Sequence, residues 1–416
     1  MRIFHLADTH FGPTRLEQKI AAFEKCLAKI ESVMRRDSSL STIKSLSMWN
    51  MAIIAGDIFD HSLHVEDPGA QEAVRLIGEL NRRMPVLLIK GNHSHDRQSV
   101  SVFDYLRTQH ALITSESPEV VELKKDGTLV KSSIESIVQN TGDDDAVHAT
   151  FITLPYPSYS FIAATESLPA EGLRAAVSNR ITQVIQMFRL IERPNKILVY
   201  HGTVSGARFS EAHRMVGMDI ELSPWDIKDS GFEFVVGGHI HFAQVMEEAP
   251  VFYPGGLAYT TYGDEGKRGM WIHEKKDIYW NHDFFDVDAP MMKTWKLDLR
   301  EGHHILLPPW HVDEIVEDLK VQLLFRETQN IDLPAQKERL GKWFPNVKTL
   351  TIEKIVERVE GERAREAKIQ DVHTLREKVQ AWLEYSDIRD YPPRLLDKAD
   401  LLEAHNSQEL VEMEQL

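Results

Sequence analysis

Carboxylate, carboxamide and imidazole side chains recur in a fixed order between residues 8 and 241 of this chain, each time in a short cluster. The clusters are Asp8-Thr9-His10, Gly56-Asp57-Ile58-Phe59-Asp60, Gly91-Asn92-His93, His201-Gly202 and Gly238-His239-Ile240-His241. Oxygen and imidazole donors of this kind suit first-row divalent ions such as Mn²⁺, Fe²⁺ and Zn²⁺. Two such ions ~3.5–4 Å apart can activate water at neutral pH and clamp a phosphoryl group. The elements that must position these groups lie directly upstream of them. Ile3-Phe4-His5-Leu6, Met51-Ala52-Ile53-Ile54, Val86-Leu87-Leu88-Ile89, Ile197-Leu198-Val199-Tyr200 and Phe234-Val235-Val236 are short apolar runs. Each predicts a buried strand that hands its cluster to a loop at its C-terminal end.

Singly, the clusters are weak signals. An Asp-x-His pair is common by chance, and Gly-Asn-His is more often a turn, because Gly and Asn tolerate left-handed backbone. His201 alone would pass for a satisfied core or loop histidine. All five together, in order and each after a strand-like run, predict one shared metal centre.

Composition narrows the class. Of the 416 residues, 42% are hydrophobic and 27% charged, an ordinary globular balance, and no apolar run is long enough for a membrane span. The N-terminus enters a strand-like run at once, so no signal peptide and a cytoplasmic location are expected. The single cysteine, Cys26, excludes an internal disulfide framework. It sits in the helical pattern Ile20, Phe23, Leu27, Ile30 and reads as packing. A net charge of −16 argues against strong intrinsic nucleic-acid affinity, since phosphate neutralisation dominates such binding. Bound metals would offset part of that charge, and another part lies between Asp397 and Glu414. A partner or a second copy would then have to supply the rest.

Three regions are expected. Residues 1–285 alternate strands and helices and hold every cluster. Helices are expected over Leu16–Met34 and Ala70–Arg83, with surface insertions at Arg35–Ser47 and Gln139–His148. Ala73, Leu76, Ile77 and Leu80 make an apolar helix face that packs either on the chain's own sheet or on another copy. Residues 286–358 read as strand (Lys293–Leu299), helix (Val312–Leu319), strand (Val321–Phe325), helix (Ala335–Trp343) and strand (Val347–Ile352), a small α+β unit. Residues 359–416 carry Val372, Leu375, Val379 and Leu383 at helical spacing, a Tyr391-Pro392-Pro393 break, and a second amphipathic piece at Leu395–Leu402. Such stripes pack on a partner or fold back on the preceding unit. No Gly-x-x-x-x-Gly-Lys-Ser/Thr sequence occurs, so any ATP dependence must come from another chain.

The ordered clusters resemble the calcineurin-like metallophosphoesterases and, within them, the SbcD/Mre11 nucleases. Gly-Asp-Ile-Phe-Asp, Gly231-Phe232-Glu233-Phe234 leading into Gly-His-Ile-His, and Tyr253-Pro254-Gly255-Gly256 followed by the run Tyr262 to Gly269 carry that likeness over roughly the first 285 residues. The resemblance implies a four-layer α/β/β/α sandwich with a small α+β capping domain and a helical C-terminal tail. It implies two divalent ions, Mn²⁺ above all. Asp57 would bridge them, Asp8, His10 and His241 would complete one, and Asn92, His201 and His239 the other. His93 would be the catalytic histidine, and Asp60 would orient a histidine from behind. The family's third motif sets an acid directly after its histidine. Here Ser94 and His95 intervene and the acid is Asp96, which leaves the orienting role open. His95 could replace that acid, contact DNA or do nothing. His61 and His64 flank the second cluster, where loop histidines are more often merely solvated.

The implied function is a Mn²⁺-dependent DNA nuclease subunit for repair or recombination. Its expected activities are a 3′→5′ double-strand exonuclease and a single-strand or hairpin endonuclease. The implied partners are DNA, a Rad50/SbcC-like ATPase held by residues 359–416, and a second copy as homodimer through the helices after the second and third motifs. The alternative is a metallophosphoesterase for small phosphodiesters or phosphoproteins. A third reading, a scaffolding subunit with a vestigial site, conflicts with the complete donor set.

Overall fold

Alternation along each apolar run decides where its side chains go. In the computed structural model, residues 41–48, 63, 65, 97–99, 133–136, 138–145, 158–180, 211–220, 301–315, 327–331, 358–373, 386–394 and 397–416 lie outside the described part of the chain. The strands are β1 (Arg2–Leu6), β2 (Asn50–Ala55), β3 (Val86–Ile89), β4 (Leu112–Ser115), β5 (Glu119–Lys124), β6 (Leu129–Ser132), β7 (Val147–Leu154), β8 (Lys196–His201), β9 (Thr203–Val204), β10 (Glu221–Leu222), β11 (Val235–Gly238), β12 (Gln244–Val245), β13 (Val251–Tyr253), β14 (Gly269–Lys276), β15 (Tyr279–Asp286), β16 (Met291–Asp298), β17 (Val316–Arg326) and β18 (Thr349–Glu357). Helices are α1 (Leu16–Leu40), α2 (Pro68–Asn81), the short turn α3 (His93–Asp96), α4 (Pro224–Asp229), α5 (Leu333–Trp343) and α6 (Leu375–Tyr385). A further helical stretch covers 181–189.

The described residues form two compact units, the first running to Lys293 and including the start of β17 through Asp318. Two mixed sheets build it, in the orders β15-β14-β1-β2-β3-β4 and β12-β13-β11-β8-β7-β5-β6. Within them β1, β2 and β3 run parallel, as do β7, β8, β11 and β13. Strand side chains alternate between faces. Phe4, Leu6, Ala52, Ile54, Val86 and Leu88 pack with α1 and α2. Their neighbours Ile3, Met51, Ile53, Leu87 and Ile89 instead meet Ile197, Val199, Phe234 and Val236 of the second sheet. Leu198, Tyr200 and Val235 face the other way, toward Ile181, Ile185, Phe188 and Ile227. Runs apolar on both faces are therefore strands covered on both sides, which is why they lack a polar beat.

Helix α2 starts with Pro68 at its first turn, where a missing N–H costs nothing. Its Ala73, Leu76, Ile77 and Leu80 are fully buried in the chain's own core, as is Cys26 on α1. That decides between the two readings of this face in favour of packing within the chain.

The second unit begins at Thr294 and resumes at Leu319. Strands β16, β17 and β18 form a three-stranded sheet, and Trp295 meets Phe344 edge to face at 5.7 Å. Asp332 caps α5 by accepting the Ala335 N–H at 3.1 Å.

Three expectations need correction. Val316–Leu319, expected as helix, opens β17: Leu319, Val321, Leu323 and Phe325 are buried with half-buried residues between them, a two-residue period. Arg35–Leu40 continue α1 instead of starting an insertion, and Val147-His148 belong to β7. The Tyr391-Pro392-Pro393 break and nearly all of Leu395–Leu402 lie outside the described residues; of the tail, α6 is described, with Leu383 buried. No described helix is long and apolar enough to cross a membrane.

Candidate metal centre

Every cluster sits at the C-terminal end of a parallel strand, so the sheet order fixes which clusters meet. Strands β1, β2 and β3 deliver Asp8, Asp57 and Asn92 from one sheet; β8 and β11 deliver His201 and His239 from the other. The loops turn sharply. Among described non-glycine residues with positive φ, Asp8 (50°), His10 (45°), Asp57 (49°) and His239 (91°) are all sequence-predicted ligands. Backbone of this kind costs about 1–3 kcal/mol per residue and persists where the surroundings over-determine it. Those surroundings are close. Asp8 N–H donates to Gly56 O at 3.0 Å, His10 N–H to Asp57 O at 3.0 Å, and Asp60 N–H to Phe11 O at 3.0 Å. A Cβ on Gly238 would lie 1.8 Å from Ala55 O, so only glycine lets the two sheets approach here.

Among the described residues the donors converge in three groups that could hold a metal ion, with ligand atoms within 4.8 Å of one another. They are Asp8–His10–His241, His10–Asp57–His95 and Asp57–His201–His239. Asp57 is shared by two of them. Its Oδ1 accepts the Asn92 N–H at 2.6 Å and lies 3.3 Å from His201 Nε2. Its Oδ2 is 3.9 Å from both His10 Nε2 and His95 Nε2. Asn92 Oδ1 is 3.1 Å from His201 Nε2, and His10 Nε2 is 2.9 Å from His241 Nε2. His201 Nδ1–H donates to Ala55 O at 2.6 Å, which turns the Nε2 lone pair toward Asp57 and Asn92. Asp8 accepts the His239 backbone N–H at 2.8 Å.

Charge follows burial. Burial, reinforced by the nearby Asp57 charge, pushes the Asp8 carboxyl up to about 8, although His201 opposes this. Burial also acts to raise Asp57, but His201, with His10 and His95, overrides it and holds Asp57 well below the carboxylate range. Burial disfavours charge on His201 too, yet Asp57 and Asp8 raise it to about 9. Burial lowers His10 to about 3. His10 is held neutral, while His201 carries a proton's charge against the crowded carboxylates, a charge that a bound cation would replace. The residues present thus fit a divalent ion.

His93, not expected as a ligand, is exposed at the start of α3 and outside all three groups, and His61 and His64 are exposed, as solvated loop histidines are. Two acids differ from expectation. Asp60 offers its backbone carbonyl to a histidine, accepting from His95 Nδ1 at 2.5 Å, while its carboxylate lies against Gly12. Asp96 does not reach a histidine in any described bond. Fully buried, it accepts N–H groups from Ile58 (3.0 Å), Phe59 (3.2 Å) and Gly91 (2.8 Å), clasping the second and third clusters together. Burial and the Asp57 charge push its carboxyl up to about 6. Asp96→Ala would leave three buried donors unmet, so unfolding of the metal-free chain should cost about 3 kcal/mol less than wild type. Denaturant titration checks this; a loss under 1 kcal/mol would dismiss the clasp.

Three residues escaped the sequence reading. Lys19 is buried, donates to His10 O and is pulled down to about 8 by that burial. Arg268, also buried, donates to His241 O, pairs with Asp264 at 3.4 Å and lies over Tyr259. Tyr156 sets its ring 5.4 Å from that of His239. The charged run Tyr262 to Gly269 was a visible signal for Arg268; for Lys19, on an amphipathic helix, there was none.

With the geometry in place, one comparison bears on it. The family model described as calcineurin-like phosphoesterase matches residues 1–243, more than half of the chain and every cluster through His241.

Proposed function

The chain belongs to the calcineurin-like phosphoesterase family, a metal-dependent phosphoesterase family, and on that premise we propose that it is a Mn²⁺-dependent DNA nuclease. The observation that carries the two-metal part is Asp57, whose two carboxylate oxygens face different donor groups. Asp8, His10 and His241 would hold one ion with Asp57; Asn92, His201 and His239 would hold the other. When bound, the ions supply Lewis-acid polarisation of the phosphoryl oxygens and a lowered pKa for water.

The protein's own residues do the rest. His201, fixed by Ala55 O, and Asn92, fixed through its N–H on Asp57, set the second pocket. The neutral amide of Asn92 limits negative charge where an anionic phosphodiester must enter. His93, exposed at the start of α3, would give a proton to the leaving oxygen. Asp96 keeps the two central loops in register. We read the layering as α/β/β/α and residues 286–358 as a capping domain that orients DNA. Residues 359–416 would hold a Rad50/SbcC-like ATPase, in the cytoplasm. The proposed homodimer uses a surface other than the apolar face of α2, which the core already occupies.

The support for DNA as substrate is the form of the second and last clusters and the extra unit that begins at Thr294. The net charge of −16 favours the other reading, a phosphoesterase for small diesters. End-labelled duplex and single-stranded DNA, incubated with Mn²⁺ beside bis-p-nitrophenyl phosphate and a chelator control, separates them. Mn²⁺-dependent DNA cleavage that His93→Ala reduces about 10²-fold or more is the expected result. Cleavage of the small diester with DNA untouched, even after co-expression with a coiled-coil ATPase, would establish the alternative.

A further inference from the structure

We infer that His95 is an additional metal ligand, belonging to the pocket that His10 and Asp57 share. This rests on the metal-dependent phosphoesterase reading and extends its donor set. His95 owes its place to the Ser94-His95 pair that separates His93 from the acid Asp96. One turn of α3 carries both, and the buried Asp96 pins that turn through the Ile58, Phe59 and Gly91 N–H groups. The His95 ring is held as a ligand would be. A carbonyl oxygen can only accept, so the 2.5 Å bond to Asp60 O puts the proton on Nδ1. In the neutral ring the Nε2 lone pair is then bare, as in the carbonyl–histidine–metal arrangement.

That lone pair faces the pocket. Nε2 of His95 and Nε2 of His10 are each 3.9 Å from the same oxygen, Asp57 Oδ2, and the two rings meet at 78° with centroids 4.7 Å apart. A distance of 3.9 Å is too long for a hydrogen bond. It suits two donors that each lie about 2.0–2.2 Å from one shared ion. The first pocket then draws on five protein residues in two sets that overlap at His10, Asp8–His10–His241 and His10–Asp57–His95, against four for the second. It should load first and hold its ion more tightly, with the more open second ion left for substrate.

The metal-free full-length chain, titrated with Co²⁺ by visible absorption and with Mn²⁺ by calorimetry, tests this without turnover. Wild type should bind two ions in separate steps, the first about tenfold tighter or more. His95→Ala should weaken the first step by at least about that factor and leave the second unchanged. Two ions bound with unaltered affinities in the variant would overturn the assignment to His95 while leaving the metal centre intact. No ion bound by wild type would overturn the metal reading itself. A fold-independent check uses the unmutated chain: Mn²⁺ should block diethyl pyrocarbonate modification of His95, mapped by peptide mass, while exposed His61 and His64 stay reactive. Equal modification of His95 with and without Mn²⁺ would also overturn the proposal.

Discussion

Asp57→Asn should lower turnover of bis-p-nitrophenyl phosphate by about 10³-fold or more, some 4 kcal/mol in barrier, and reduce bound metal from two ions to one or none. The expectation follows from the position of each carboxylate oxygen. Oδ1 is taken by the Asn92 N–H and faces His201; Oδ2 faces His10 and His95. An amide of the same shape keeps one oxygen and replaces the other with an NH₂ that cannot ligate. If the NH₂ takes the Oδ1 position, it confronts the Asn92 N–H, donor against donor. If it takes the Oδ2 position, the pocket of His10 loses its anionic oxygen. Either way the shared charge is gone, and a substitution at any unshared donor affects one pocket first. Elemental analysis of the purified variant, alongside the kinetics, decides the matter. Two retained ions with turnover within tenfold of wild type would mean that Asp57 is not the shared ligand.

The strands were legible because burial on both faces leaves an unbroken apolar run, and their clusters because each donor follows its strand directly. The same local logic fails where partners are remote. Arg268 reaches His241 O from 27 residues away in sequence, and Lys19 reaches His10 O from a helix whose other residues follow an ordinary amphipathic pattern. Lys19 carries no signal, and for Arg268 the charged run Tyr262 to Gly269 marks the residue without its partner. Asp96 is subtler. The sequence leaves open what the displaced acid does, because a fully buried carboxylate meets its strongest partners in backbone N–H groups, which no sequence displays. At Val316–Leu319 the helix reading failed because a short apolar stretch fits both periods. Only the alternation continuing to Phe325 distinguishes them. The α2 face raised the reverse problem: the pattern gave an apolar stripe without its partner, and the sheet below supplied it.

The second large effect lies outside the candidate metal centre, between the two sheets. His5, His273 and His282 form a chain of rings ending on Gly237 O. His5 Nε2 is 3.0 Å from that carbonyl, His5 Nδ1 is 3.3 Å from His273 Nε2, and His273 Nδ1 is 2.7 Å from His282 Nδ1. Because the carbonyl only accepts, Nε2 of His5 carries its proton, and each neutral ring then accepts from the next. An extra proton on His5 or His273 would set donor against donor in a pocket walled by Phe234, Phe252 and Trp271. Burial accordingly lowers His5 to about 3 and His273 well below its ordinary value. It lowers the half-buried His282 to about 4, against the pull of Asp283. The sign is fixed by which state binds protons. Above pH 6.5 neither folded nor unfolded chain protonates these rings, and their neutral packing contributes in full. As pH falls toward 4 the unfolded chain takes up protons that the folded chain refuses, so stability drops. The two fully buried rings alone account for about 2.7 kcal/mol per pH unit once the unfolded histidines are charged. His282, screened by solvent, adds less. Denaturant titrations of the metal-free chain from pH 8 to pH 4 should show this acid limb, offset in part by Asp8 and Asp96, whose raised carboxyls take up protons in the folded chain first. His273→Phe should cost roughly 1–2 kcal/mol at pH 8, for the lost hydrogen bonds, and make the limb shallower by about 1.4 kcal/mol per pH unit. A limb of unchanged steepness in His273→Phe would place the acid sensitivity elsewhere. The buried His10, likewise lowered to about 3, would then be the group to substitute.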